Sequence, residues 1–178
     1  MTGVQTFALP ISLVMIAVTF LGVFLYDALY KSGLASNVRV VTIISFVLIG
    51  AVVYLMKEWA GFSYRSVNIH LGALFGTNMA FNVWFRIWPA QQKIITAIKG
   101  GEAPDGDLVA LAGLRSKHNT YMSVPLIWTM INQHTESLAG GNFGVTDATN
   151  WVPLMVMVAV GWHVVWQLYK KSAKVQGM

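Results

Sequence analysis

The run over residues 8–30 constrains this chain most, because it is apolar along its whole length except for Asp27 near its far end. A helix needs about 20 such residues to cross a bilayer. Backbone polar groups in lipid are satisfied only inside helices or closed barrels, so the run reads as a membrane helix. Residues 38–56 are rich in β-branched side chains, which favour strands in water, but the length and the lack of an internal turn signal again point to a helix. Further runs at 66–88, 116–135 and 151–169 complete an expected all-α, polytopic bundle of about five transmembrane helices. They form one membrane domain over residues 8–170, with 89–115 as a polar loop between the third and fourth spans.

Composition agrees. Charged residues make up 11% of the 178, hydrophobic residues 56%, and the mean hydropathy is +0.59; a soluble domain carries about 25% charged residues. There is no cysteine, which excludes disulfides, thiolate metal ligation, thiol catalysis and a covalently attached haem c within these residues. The net charge of +5 does not point to nucleic acid, because the basic residues are spread among short loops. Residues 1–10 lack the basic region and cleavage site of a secretory signal.

Charge placement sets an expected orientation. Lys31, Arg39, Lys93, Lys99, Arg115, Lys117, Lys170, Lys171 and Lys174 fall on one side of five spans, and Lys57 and Arg65 on the other. The positive-inside rule makes the richer side cytoplasmic and puts the N-terminus outside.

Polar side chains inside apolar runs are costly and commonly functional. Asp27 reads first as an interfacial carboxylate paired with Lys31, and secondarily as a site residue. In the third run Gly72 and Gly76 have the G-x-x-x-G spacing that lets helices approach closely. Asn78, Asn82 and Arg86 recur every four residues on what reads as an opposed polar face. Arg86 also suits snorkelling to the interface, where Trp84 and Trp88 would sit. The fourth run carries His118, Asn119, Tyr121, Asn132, Gln133 and His134, with Pro125 inside it, and is too polar to face lipid all round. Arg115 and Lys117 at its start fit a plain topology role. Residues 91–99 can form a short amphipathic piece, and a helical pattern resumes at Asp107.

The four histidines fall at two depths: His70 and His134 toward the outside, His118 and His163 toward the cytoplasm. Such pairs could hold one or two haem b groups, with His70 and His134 as candidate iron ligands. Satisfied interior histidines and substrate or proton roles stay open. His118 and His134 are 16 residues apart; that is about 24 Å of helix, and they point in nearly opposite directions. Met79, Met122 and Met130 read as packing.

H-L-G-A-L-F-G-T-N-M at 70–79 and N-V-W-F-R-I-W-P-A-Q-Q-K at 82–93 resemble the N-terminal membrane domain of bacterial membrane-bound, cytochrome-c-linked urate oxidases. G-E-A-P-D at 101–105, R-S-K-H-N-T-Y at 115–121, the Pro125 span ending in N-Q-H at 132–134, and the helix with His163 resemble it too. The matching positions are His70, Asn82, Pro89, Gln91, Lys93, Pro104, Asp105, Arg115, Ser116, His118, Asn119, Tyr121, Pro125, His134 and His163. The resemblance implies a multi-pass protein of the bacterial inner membrane that helps oxidise urate to 5-hydroxyisourate and passes electrons toward cytochrome c. The family domain has further histidine-bearing helices before this point and a C-x-x-C-H domain after it. Thr135 and Glu136 stand where it usually has Tyr-Pro. The chain therefore reads as a fragment, completed by missing helices of the same domain or by another subunit. Candidate roles are His118, Asn119, Arg115 and Tyr121 in catalysis and Asn78, Asn82 and Arg86 in binding urate, a planar anion. The competing expectations are a non-catalytic haem b electron-transfer subunit and a transporter component using the Asn–Arg stripe; no inverted repeat supports the latter.

Overall fold

The computed structural model describes residues 4–134, 146 and 149–174, with side chains from Pro10 onward. All regular structure among them is helical, with no strand. The helices are α1 (Val4–Lys31), α2 (Val38–Tyr54), α3 (Tyr64–Asn82), α4 (Trp88–Lys99), α5 (Gly106–Asn132) and α6 (Trp151–Ser172). Three starts are capped by short polar side chains, which satisfy amides left over at a helix N-terminus. Asn37 accepts from the Val40 amide, Ser63 from Ser66 and Asp105 from Asp107. Gly101, at φ 77°, takes the left-handed conformation that reverses the chain between α4 and α5.

Among the described residues three helices are long and apolar enough to cross a membrane: Pro10–Lys31, Val38–Trp59 and Trp151–Ser172. The more polar α3 and α5 pack against each other, with α1 on α3 and α6 on α5. Helix α3 buries Tyr64, Val67, Asn68, Leu71, Gly72, Leu74, Phe75, Asn78 and Asn82. The apolar core joins Tyr64, Val67, Leu71, Leu74 and Phe75 to Met15, Val53, Met56, Met122, Leu154, Met155 and Val158. The polar helices thus form an inner pair, while the outer ones expose apolar side chains such as Phe24, Val47 and Val164.

The glycine pair divides. A Cβ on Gly72 would fall 2.2 Å from Met130 Cε and 2.8 Å from Thr129 Oγ1, so this glycine lets α5 approach. A Cβ on Gly76 would meet no atom of another element within 4 Å among the described residues. Nor are the tight and polar faces opposed: Gly72 and Asn82 both meet α5, at different heights. On the other side of α5, Gly161 admits Val124 and Pro125.

The 89–115 stretch is largely helical. A π-helical turn, Val83–Ile87, joins α3 to α4 without a break. Pro89 has no amide to give the Phe85 carbonyl, and Arg86 Nη1 donates to that carbonyl instead, at 3.1 Å. Ala90 and Ile94 then pack on Ala112 and Leu108, which ties α4 to the start of α5.

Candidate functional site

The last turns of α1 carry Tyr26, Asp27, Tyr30 and Lys31, and the rest of the site gathers on them. Asp27 is only 6% exposed, yet three cations reach its carboxylate. Arg86 binds both oxygens, through Nε to Oδ1 at 2.9 Å and through Nη2 to Oδ2. Arg115 Nη2 donates to Oδ1 at 2.9 Å, and Lys31 Nζ lies 2.9 Å from Oδ2. The Arg115 guanidinium lies over the rings of Tyr26 and Tyr30, 5.2 and 5.8 Å from their centroids.

Charge counting separates the cations. Lys31 is exposed and Arg86 partly so, which lets solvent screen them. Arg115 is 1% exposed and shares a carboxylate that Arg86 already fills as a two-bond fork. Its Nε and Nη1 are buried and have no partner among the described residues. A buried cation that shares its counter-charge is expensive, and an acceptor at Nε and Nη1 would lower that cost.

A neutral network abuts it. Asn82, fully buried, donates through Nδ2 to Tyr26 Oη at 2.8 Å and to Asn119 Oδ1 at 2.9 Å. Asn119 Nδ2 donates to the Met79 carbonyl at 3.1 Å. Tyr26 Oη lies 2.8 Å from His118 Nδ1, and the Tyr30 ring packs against that imidazole at 4.2 Å. Asn78 Oδ1 and Asn82 Oδ1 are buried acceptors without a donor among the described residues. Unpaired arginine donors and amide acceptors would match a group with both a negative charge and N–H groups.

Of the residues singled out from the sequence, Arg115, His118, Asn119, Asn82 and Arg86 come together here, and Asn78 lies one turn along α3 from Asn82. Arg86 is bonded rather than snorkelling, and Arg115 is buried rather than a loop charge. Tyr121 is elsewhere, stacked on Tyr169 of α6 at 6.1 Å and 16°. Lys117 also turns to α6, 4.8 Å above the Tyr169 ring. The sequence reading missed Tyr26 and Tyr30 and underrated Asp27. The signal was there: Tyr26 and Tyr30 are one turn apart beside Asp27, so the end of α1 bears a polar face.

The four imidazoles have separate surroundings. His70 Nδ1 lies 2.8 Å from the Ser66 carbonyl of its own helix, and its ring rests on Phe62. His134 is exposed at the end of α5; Thr135 and Glu136 lie outside the described residues. His163 is exposed, 3.2 Å from Gln167 Nε2 and about 200° around α6 from the buried Val165. It therefore turns away from α5 and His118. The rings do not fit a haem held between His118 and His163 of one chain, and nothing in the contacts of His70 joins it to His134. Among the described residues no three His, Cys, Asp or Glu side chains cluster as metal ligands.

Fold and site together define a membrane-compatible helical bundle with a buried, cation-rich cluster of hydrogen-bonding groups. The chain matches the family model described as urate oxidase N-terminal over residues 3–177, and it belongs to that family. No curated protein and no solved structure matches it.

Proposed function

We propose that this chain supplies the substrate-binding part of a membrane-bound urate-oxidising enzyme. Five spans would cross the bacterial inner membrane, with the N-terminus outside and the Asp27–Arg115 site near the cytoplasmic face. The observation that carries the reading is the buried Arg115, with Nε and Nη1 open and its one carboxylate already occupied by Arg86. Urate is a planar anion with N–H groups: its negative oxygens suit Arg115, and its N–H groups suit Asn78 Oδ1 and Asn82 Oδ1. Arg86 and Lys31 hold Asp27, which in turn aims Arg115. Oxidation of urate by water to 5-hydroxyisourate releases two electrons and two protons; the electrons would pass toward cytochrome c through helices or a subunit outside this chain.

A haem b electron-transfer subunit is the second reading. The outward-facing His163 favours it only as a ligand offered to another chain. A pyridine-haemochrome spectrum showing no haem in folded, purified protein would remove that reading.

Purified chain should bind urate saturably, and Arg115→Met should abolish this; membranes holding the chain together with its completing helices or subunit should consume urate, followed by its ultraviolet absorbance, with ferricyanide as acceptor. Membranes of that kind that bind urate but reduce no acceptor contradict the oxidoreductase assignment. A folded chain that binds no urate contradicts the whole reading.

A further inference from the structure

One backbone carbonyl fixes the direction of every hydrogen bond around Asn82. The Met79 carbonyl can only accept, so the side-chain group of Asn119 facing it is the amide nitrogen. Asn119 then offers Oδ1 to Asn82, which must answer with Nδ2. Asn82 Nδ2 gives its second hydrogen to Tyr26 Oη. The Tyr26 hydrogen needs an acceptor in turn, and the atom the structure places there is His118 Nδ1, at 2.8 Å. His118 is thereby held as the tautomer with a bare Nδ1 and a proton on Nε2. Donation diverges from Asn82 Nδ2, through Asn119 to the Met79 carbonyl on one side and through Tyr26 on the other, where it ends on the accepting nitrogen of an imidazole.

Tyr26 is also the group between the open atoms of the site. Its ring lies under the Arg115 guanidinium, and its hydroxyl touches Asn82. A ligand that reached both the unpaired Arg115 nitrogens and Asn82 Oδ1 would come close to that hydroxyl.

We infer that Tyr26 and His118 form a proton-accepting pair for the anion bound at Arg115; this rests on the function proposed above. Tyr26 is the catalytic residue, and His118 acts through it. A ligand N–H bond breaks and its proton bonds to Tyr26 Oη, while the former Tyr26 proton bonds to His118 Nδ1. The N–H electron pair stays on the ligand, which gains a second negative charge, and His118 becomes an imidazolium. No electron leaves in this step; the more electron-rich ligand then gives up electrons to the one-electron acceptor of the enzyme. The new imidazolium packs against Tyr26 and Tyr30 of α1 and is repelled by Arg115 and Lys117 on its own helix, while Asn82 meets it through Tyr26 and Asp27 through Arg115. Tyr30 leads on to Ser45 of α2, at 3.3 Å. The charge gained by the ligand offsets the charge gained by His118 across one tyrosine.

Two measurements on the full-length chain test this. In the nitrogen-15 spectrum of labelled histidines, with His118→Gln to assign the signal, His118 should show a bare, hydrogen-bonded Nδ1, and Tyr26→Phe should remove that hydrogen bond. A protonated Nδ1 overturns the direction of the network and the pair with it. In urate consumption by membranes that also hold the completing helices or subunit, the wild type should show a solvent deuterium isotope effect. Tyr26→Phe should bind urate unchanged but turn over about 100-fold more slowly and lose the isotope effect. His118→Gln, which can accept the hydrogen bond but not the proton, should behave like Tyr26→Phe. Full rate and isotope effect in Tyr26→Phe overturns the inference. Failure of the wild type to bind urate instead overturns the proposed function, and the spectrum still decides whether His118 is a proton acceptor.

Discussion

The α3–α5 pair carries a buried polar cluster at each end, and the two are built on opposite principles. At one end Tyr64, Asn68 and Asn132 are neutral and close on one another. Asn132 Nδ2 donates to Tyr64 Oη and, at 3.3 Å, to Asn68 Oδ1, while Asn68 Nδ2 donates to the Tyr64 carbonyl at 2.8 Å. No buried atom of the three lacks a partner. At the other end the cluster is charged, with more cations than carboxylates, and leaves Arg115, Asn78 and Asn82 atoms open. A satisfied neutral cluster fixes how two helices meet; an unsatisfied charged one stores a demand that a ligand can meet. Burial of polar groups alone would have ranked the two ends equally.

The comparison breaks first at Asp27. Asp27→Asn leaves Arg86 and Arg115 without their carboxylate and should cost about 3–5 kcal/mol, read as a shifted denaturant midpoint. An unchanged midpoint would mean that the charged cluster is as self-sufficient as the neutral one. Asn132→Ala should cost about 1–3 kcal/mol, by stranding Tyr64 and Asn68, and leave urate binding unaltered. A loss of urate binding there would erase the distinction between the ends. Between the clusters, Gly72→Ala must push Met130 and Thr129 aside and should cost about 1–3 kcal/mol. Gly76→Ala meets nothing and should be neutral or stabilising by up to about 1 kcal/mol, through helix propensity. Equal effects at both glycines would show that α5 does not rest on Gly72.

Much of the scaffold was legible in the chain itself. Apolar length marked the runs at 8–30, 38–56 and 151–169, where the structure has helices able to cross a membrane at 10–31, 38–59 and 151–172. The polarity of residues 116–134 pointed to the packed position of α5 between α3 and α6. Arg115, His118, Asn119 and Asn82 stood out because polar side chains are rare in such surroundings. What was not legible depended on which helix faces which. Spacing along α3 shows Asn82 and Arg86 one turn apart, but not the π-helical turn between them or the α1 carboxylate that Arg86 grips. Tyr26 and Tyr30 look like ordinary interfacial aromatics until α5 brings Arg115 and His118 onto them. Depth groups His118 with His163 but says nothing about direction around a helix, and His163 lies on the face of α6 away from Gly161, which meets α5.

The central claim is that Arg115 shares its counter-charge and that urate supplies a second. Equilibrium binding of urate to the full-length chain, compared with Arg115→Met and with Asn132→Ala as the control at the other end, tests it most directly. Saturable binding in wild type and Asn132→Ala, lost in a folded Arg115→Met, is the expected result. Equal urate binding with and without the Arg115 charge would contradict the account.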